Sequence, residues 1–179
     1  MYRNNTLFRA LLSGSFVLIA IYLLSGCSSD KNKRPSPAAY DSLVTATYII
    51  NIEYSSPRVK KRKIWGELVP YNSIWRTGAN KATYFKSTSD LFVEGELLEA
   101  GTYSIFTIPR ENEPWTIIFN KEWDQWGSYN YDETLDALRL EVMPVSSDFN
   151  EKMTFKLEES SLRFEWEKLA YELDLSVYE

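Results

Sequence analysis

Residues Asn120 to Asp132 read Asn-Lys-Glu-Trp-Asp-Gln-Trp-Gly-Ser-Tyr-Asn-Tyr-Asp, with four aromatics, two Asp, two Asn and one Gln in thirteen positions. Sugars suit such a loop, because their C–H faces stack on rings while Asp, Asn and Gln exchange hydrogen bonds with the hydroxyls. The same rings equally fit a plug for the open end of a folded domain. A second segment, Ile74-Trp75-Arg76-Thr77-Gly78-Ala79-Asn80-Lys81-Ala82-Thr83, sets a Trp beside an Arg and follows them with small residues and an Asn. In a tight loop, that guanidinium and amide would either meet one polar ligand or satisfy the backbone of a strand end. A third, Arg58 to Lys63, packs five cations into six residues. Arg58 and Arg62 carry the planar fork that grips a carboxylate at two points, while the whole run equally fits a solvated edge that discourages strand addition.

Other chemistry is closed off by composition. The 179 residues contain no His and one Cys. Imidazole catalysis, the commonest zinc, copper and non-haem iron sites, and an internal disulfide are therefore unavailable. Neither a metal nor another cofactor is expected. A hydrolase built from this chain would rely on paired carboxylates, as glycosidases do, and Glu67, just beyond the third segment, with Asp124 and Asp132 in the first, are the candidate acids. No calcium loop, glycine-rich phosphate loop or G-x-S-x-G elbow is present. Binding of a small polar or carbohydrate-like ligand, or of an envelope partner, without catalysis is the first reading. A His-free glycan hydrolase is the alternative, and a purely structural envelope protein the third.

The elements that must position these segments follow a period of two. Ile50, Ile52 and Tyr54 form an apolar row that continues back to Tyr48 and Ala46. The same alternation returns in Leu138/Leu140/Val142, Met153/Phe155/Leu157, Leu162/Phe164/Trp166 and Tyr171/Leu173/Leu175/Val177. Half-buried antiparallel strands have this pattern. Thr102 to Pro109 and Trp115 to Asn120 are apolar on both faces, as central strands are, with 110–114 as the loop between them. Glu94-Gly95 and Ala100-Gly101 mark tight turns. No helical stripe intervenes, and about ten strands in one domain predict an all-β fold, an antiparallel two-sheet sandwich or jelly roll.

The N-terminus predicts an address. Arg3 and Arg9 precede an apolar run from Ala10 to Leu24, shorter than the roughly 20 residues of a spanning helix. This is the pattern of a secretory signal peptide over residues 1–26. Leu24-Ser25-Gly26-Cys27 resembles the lipobox of bacterial lipoproteins, and the chain's one Cys stands where lipid would be attached. Cleavage there leaves 153 residues and, with Arg3 and Arg9 gone, moves the formal net charge from −5 to −7. An acidic body argues against nucleic acid as a partner and makes the lipid anchor the membrane contact. The expected organisation is a polar spacer over 27–42 and one domain over 43–179, facing the periplasm or outer surface of a Gram-negative-type envelope.

The succession Tyr-Ser-Ser-Pro-Arg-Val, Ile-Trp-Gly-Glu-Leu-Val-Pro-Tyr, Trp-Arg-Thr-Gly-Ala-Asn, Ala-Gly-Thr-Tyr-Ser-Ile-Phe-Thr-Ile-Pro, Trp-Thr-Ile-Ile-Phe-Asn-Lys and Gln-Trp-Gly-Ser-Tyr-Asn-Tyr-Asp resembles the bacterial Domain of Unknown Function 2911 family. The resemblance spans about Ile52 to Tyr178 and implies an exported β-rich domain; it supplies no reaction. Where relatives commonly have a Gly between Val59 and Arg62, this chain has Lys60-Lys61. That departure favours Arg62 for a shared role and solvation for the Lys pair. The candidate ligand-binding residues are Arg58, Arg62, Arg76, Asn80, Asp124, Gln125, Trp126, Tyr129, Asn130 and Asp132, with Cys27 as the lipidation site. Arg76, Asn80, Asp124 and Trp126 are expected to line one cleft at an end of the sandwich.

Overall fold

The computed structural model describes residues 34–177. The expected signal peptide, Cys27 and residues 28–33 of the expected spacer lie outside them. Ten strands are present: β1 (Ala38–Val44), β2 (Ile49–Ser55), β3 (Thr83–Ser87), β4 (Leu91–Val93), β5 (Glu96–Leu98), β6 (Gly101–Ile108), β7 (Trp115–Asn120), β8 (Asp136–Val142), β9 (Val145–Glu158) and β10 (Ser161–Val177). They form a six-stranded sheet in the order β1-β2-β3-β6-β7-β8 and a four-stranded sheet in the order β5-β4-β10-β9. Every pairing of named strands is antiparallel. The all-β sandwich is thus as the alternation predicts. A 3-10 turn, Glu133–Leu135, precedes β8. Among the described residues no helix is long and apolar enough to cross a membrane.

Two boundaries differ from the sequence reading. β1 occupies 38–44 and pairs with β2 from Ala38↔Ser55 to Val44↔Ile49, so the last residues of the expected spacer belong to the domain. As an edge strand of partly exposed Ala, Tyr, Asp and Ser, β1 lacks the apolar alternation that betrays its neighbours. The rows Leu162/Phe164/Trp166 and Tyr171/Leu173/Leu175 are one strand, not two. Their parity changes from even to odd across register shifts beside Glu167, whose φ of +57° marks the bulge.

The core is aromatic. Trp65, Trp75, Trp115 and Trp166 are all buried and meet in pairs, Trp65 and Trp115 at 4.6 Å between ring centroids and Trp75 stacked on Trp166 at 5.8 Å. Phe164 stacks on Tyr171 at 4.7 Å and meets Phe155 edge-on at 5.3 Å. Two of these tryptophans, with Val59, Ile64 and Val69, come from the long connection 56–82 between β2 and β3, which is therefore part of the core. The Tyr54 hydroxyl closes one side of the sandwich, donating to the Phe155 carbonyl at 3.4 Å and accepting from its amide at 3.1 Å.

A smaller cluster explains why β6 and β7 look apolar on both faces. Phe106 and Ile118 point away from the main core and pack with Ala82, Ile74 and Tyr131, all from the two polar-aromatic segments. The Tyr131 ring meets Phe106 edge-on at 5.0 Å. These segments therefore lie over the outer face of the six-stranded sheet, held down by their own apolar residues, and not across an end of the sandwich as expected. The sheet face they cover is what makes β6 and β7 buried on both sides.

Candidate functional site

The site is built on an excursion from a single strand lane. Trp75 pairs with Thr107 and Thr83 pairs with Ile105, so both flank β6 in the same lane while residues 76–82 bulge out between them. Thr83 closes the base, its amide donating to the Arg76 carbonyl at 3.2 Å and its hydroxyl to the Thr77 carbonyl at 2.7 Å. Two residues turn the chain with positive φ, Thr77 at +49° and Asn80 at +62°. Asn tolerates that region, but a β-branched Thr there carries strain of about 1–3 kcal/mol. Thr77 is held in it, fully buried, by a 2.9 Å bond between its hydroxyl and that of Thr107. Gly78 follows where a Cβ would stand 3.1 Å from the Ser55 carbonyl oxygen, so a side chain there would require its neighbours to give by a few tenths of an ångström.

The 123–127 segment is laced to this excursion. The Ala82 amide donates to the Gln125 carbonyl at 3.0 Å, the Gly127 amide to the Asn80 carbonyl at 3.0 Å, and Lys81 bridges Trp126. Trp126 is thereby fixed through its backbone while its side chain stays out, the residue being 57% exposed. Its indole borders a cavity of about 260 Å³ shared with Asn80, Lys81, Glu53 and Ser55. The Asn80 amide donates to the Ser55 hydroxyl at 3.1 Å and to the Ser36 carbonyl at 3.3 Å. Lys81 forms an ion pair with Asp124, both largely exposed, and Glu53 accepts from the Tyr84 hydroxyl at 3.0 Å. Donors, acceptors and an open indole thus surround one small volume, the mixture that hydroxyl-bearing ligands require.

A second cavity, of about 210 Å³, lies on the other side of the excursion and is bordered by Arg62, Arg76, Trp75 and Trp166. Ser36 borders it as well and links it to the first through the bond from Asn80. Arg76 is half-buried, and its Nε has no hydrogen-bond partner among the described residues. Burial lowers the pKa of its guanidinium from the ordinary Arg value, with the Tyr129 phenol opposing the shift. The Trp166 Nε1 is likewise buried without an acceptor. An unmade bond of this kind costs about 1–3 kcal/mol. Arg62 folds back onto its own turn, donating from Nε to the Val59 carbonyl at 3.1 Å and from a terminal nitrogen to the Arg58 carbonyl.

The expected single cleft is therefore divided. Asn80 and Trp126 border one cavity, with Asp124 tied to it through Lys81, while Arg76 borders the neighbouring one with Arg62. Of the other candidates, Gln125 and Asp132 hold local structure and Tyr129, Asn130 and Arg58 border neither cavity. Gln125 is buried and donates from its amide to the Glu122 carbonyl at 2.8 Å. Asp132 caps the 3-10 turn, and the Thr134 hydroxyl and amide hold its carboxyl below the usual range. Tyr129, 86% exposed, lies over Gly127, where a Cβ would meet its ring at 2.9 Å. Asn130 is exposed, and half-buried Arg58 bridges Lys152 through its backbone. The three acids of the hydrolase alternative are held separately, Glu67 paired with Lys63 at 3.4 Å, Asp124 with Lys81 and Asp132 with Thr134. Among the described residues no group of His, Cys, Asp or Glu is placed to hold a metal ion.

Trp166, Glu53 and Lys81 are the site residues that sequence reasoning passed over. Trp166 sits on an apolar row and reads as core, which it also is. Glu53 stands on the polar face of β2, where a charge is unremarkable. Lys81 alone had a signal, its place beside Asn80 in the second segment.

No curated protein and no solved structure matches the chain. One family model does, described as a protein of unknown function, DUF2911, over residues 36–175. That interval starts just before β1 and ends within β10, so it covers the sandwich and both loops of the site. With most of its length and nearly all of its described fold inside the match, the chain belongs to the DUF2911 family.

Proposed function

We propose that this protein is a lipid-anchored cell-envelope binding module whose sandwich captures a small polar, carbohydrate-like ligand without catalysis. Cys27 carries the anchor, and the residues between it and Arg34 hold the domain off the bilayer. The observation that carries the reading is Trp126, an indole left open to solvent while the backbone on both sides of it is pinned to the 80–82 segment. A plugging aromatic turns inward, as Tyr131 does against Phe106. An aromatic that stacks on a ligand stays out and stays fixed. Asn80, Lys81 and Glu53 border the same cavity and supply groups that exchange hydrogen bonds with hydroxyls. At about 260 Å³ the volume falls below the roughly 300 Å³ at which sites for drug-sized ligands begin, so one sugar ring of a longer glycan is the fitting occupant.

Calorimetric titration of a panel of neutral hexose and N-acetylated amino-sugar oligomers tests this. At least one member binds, and Trp126→Ala weakens it by about 1–3 kcal/mol. The same substitution moves unfolding by no more than about 0.5 kcal/mol, as for other exposed positions. A panel without a binder, or a Trp126→Ala variant that unfolds early and binds normally, contradicts the reading.

A further inference from the structure

The cavity beside Trp75 and Trp166 has a different chemistry from the one beneath Trp126. Two arginines border it, Arg62 and Arg76, and among the described residues no acid does. None of the ion pairs among the described residues includes either Arg. Arg62 spends donors on two backbone carbonyls of its own turn, but Arg76 is half-buried with its Nε unpartnered. Trp166, only 1% exposed, borders the same cavity, and its buried indole N–H has no acceptor among the described residues. Natural interiors leave few such donors unmade, because each forfeits the bond it had with water. Here two of them, one cationic and one neutral, belong to the lining of one cavity. Arg76, half-buried and outside every ion pair among the described residues, calls for a negative charge.

We propose that this cavity is a carboxylate-binding site, in which Arg76 supplies the charged fork and Arg62 a second cation at the rim. A carboxylate matches the guanidinium at two points in one plane. Val69, Leu68 and the Trp75 ring provide apolar wall, which suits a ligand with a short hydrocarbon body behind its charge. At about 210 Å³ the space admits a small aliphatic acid, or the acidic end of a longer molecule. The backbone around Arg76 agrees with a built site, since strained Thr77 and cramped Gly78 fix the chain on its C-terminal side. The inference is independent of the sugar reading, which concerns the other cavity.

The test uses the full chain in detergent, with sodium butyrate, sodium acetate and inorganic phosphate as probes and tryptophan fluorescence as the signal. The stacked Trp75 and Trp166 rings border the cavity and report its occupation. Butyrate should give a saturable change with a Kd at or below about 1 mM, and acetate should bind more weakly for want of the apolar body. Arg76→Gln should weaken butyrate by about tenfold or more, the expected loss of a charge-assisted bond. Arg62 is exposed, so Arg62→Gln folds normally, and it should weaken butyrate by about threefold; that variant decides the matter if Arg76→Gln fails to fold. No saturable response to butyrate, an unchanged Kd in Arg62→Gln, or binding of phosphate in preference to butyrate would each overturn the proposal.

Discussion

Replacing Phe164 by Ala probes the packing that holds both cavities in place. Phe164 is completely buried and touches three aromatic rings: Tyr171 stacked at 4.7 Å, Phe155 edge-on at 5.3 Å and Trp75 edge-on at 6.2 Å. A buried Phe→Ala change costs about 3–5 kcal/mol, and each aromatic pair contributes roughly 0.5–1.5 kcal/mol beyond area burial. With three pairs broken, the loss belongs at the upper end, about 4–5 kcal/mol. For a domain of this length 1 kcal/mol corresponds to about 3–4 °C in Tm, so the melt should fall by about 15 °C. Urea unfolding of a soluble chain beginning at Arg34 measures it, with Phe149→Ala as the control. Phe149 is 54% exposed and its loss should stay within about 0.5 kcal/mol. A Phe164→Ala cost under about 1.5 kcal/mol, or one matched by Phe149→Ala, would refute the inward row of β10.

Further outcomes follow from single residues. Lys60 and Lys61 have φ of +49° and +58°, where Gly is at ease, so Lys61→Gly should be neutral or stabilise by up to about 1 kcal/mol and Lys61→Val should destabilise by about 1–2 kcal/mol, both read from urea midpoints. The Tyr131 phenol is pushed from 10.0 up to about 12, first by burial and then by the Asp136 carboxylate that accepts its hydrogen bond at 2.7 Å. A raised phenol pKa favours the protonated form in the folded state, so its contribution is whole below pH 10 and is lost between about pH 10 and 12. Stability of Tyr131→Phe should accordingly fall less steeply than that of the parent across that window in chemical melts. Cys27→Ser should abolish incorporation of radiolabelled palmitate; unchanged labelling would contradict the lipid anchor.

What was legible in the sequence was whatever depends on near neighbours along the chain. Ile50, Ile52 and Tyr54 are buried as their alternation predicts, and so are Met153, Phe155 and Leu157. The all-buried pattern of β7 was readable as a central strand, although the reason for it, a cover of loops on its outer face, was not. That reason depends on Ile74, Ala82 and Tyr131 meeting Phe106 and Ile118, contacts between residues far apart in sequence. The site was half legible for the same cause. Residue types drew attention to Arg76, Asn80 and Trp126, but the lane shared by Trp75 and Thr83 beside β6 decides which cavity each one borders. Gln125 shows the opposite failure, since a polar side chain in a promising loop is buried to hold that loop together.

The indole N–H resonances of the six tryptophans, recorded on nitrogen-15-labelled protein during titration with the amino-sugar and hexose oligomers, test the binding claim most directly. Trp126 borders the first cavity, whereas the Trp115 N–H is committed to the Arg110 carbonyl at 2.8 Å within the core. A bound oligomer should therefore move the Trp126 resonance most and leave that of Trp115 in place. A titration of the whole panel in which Trp126 stays still, or in which Trp115 moves most, would contradict a ligand site at the 75–82 and 123–127 loops.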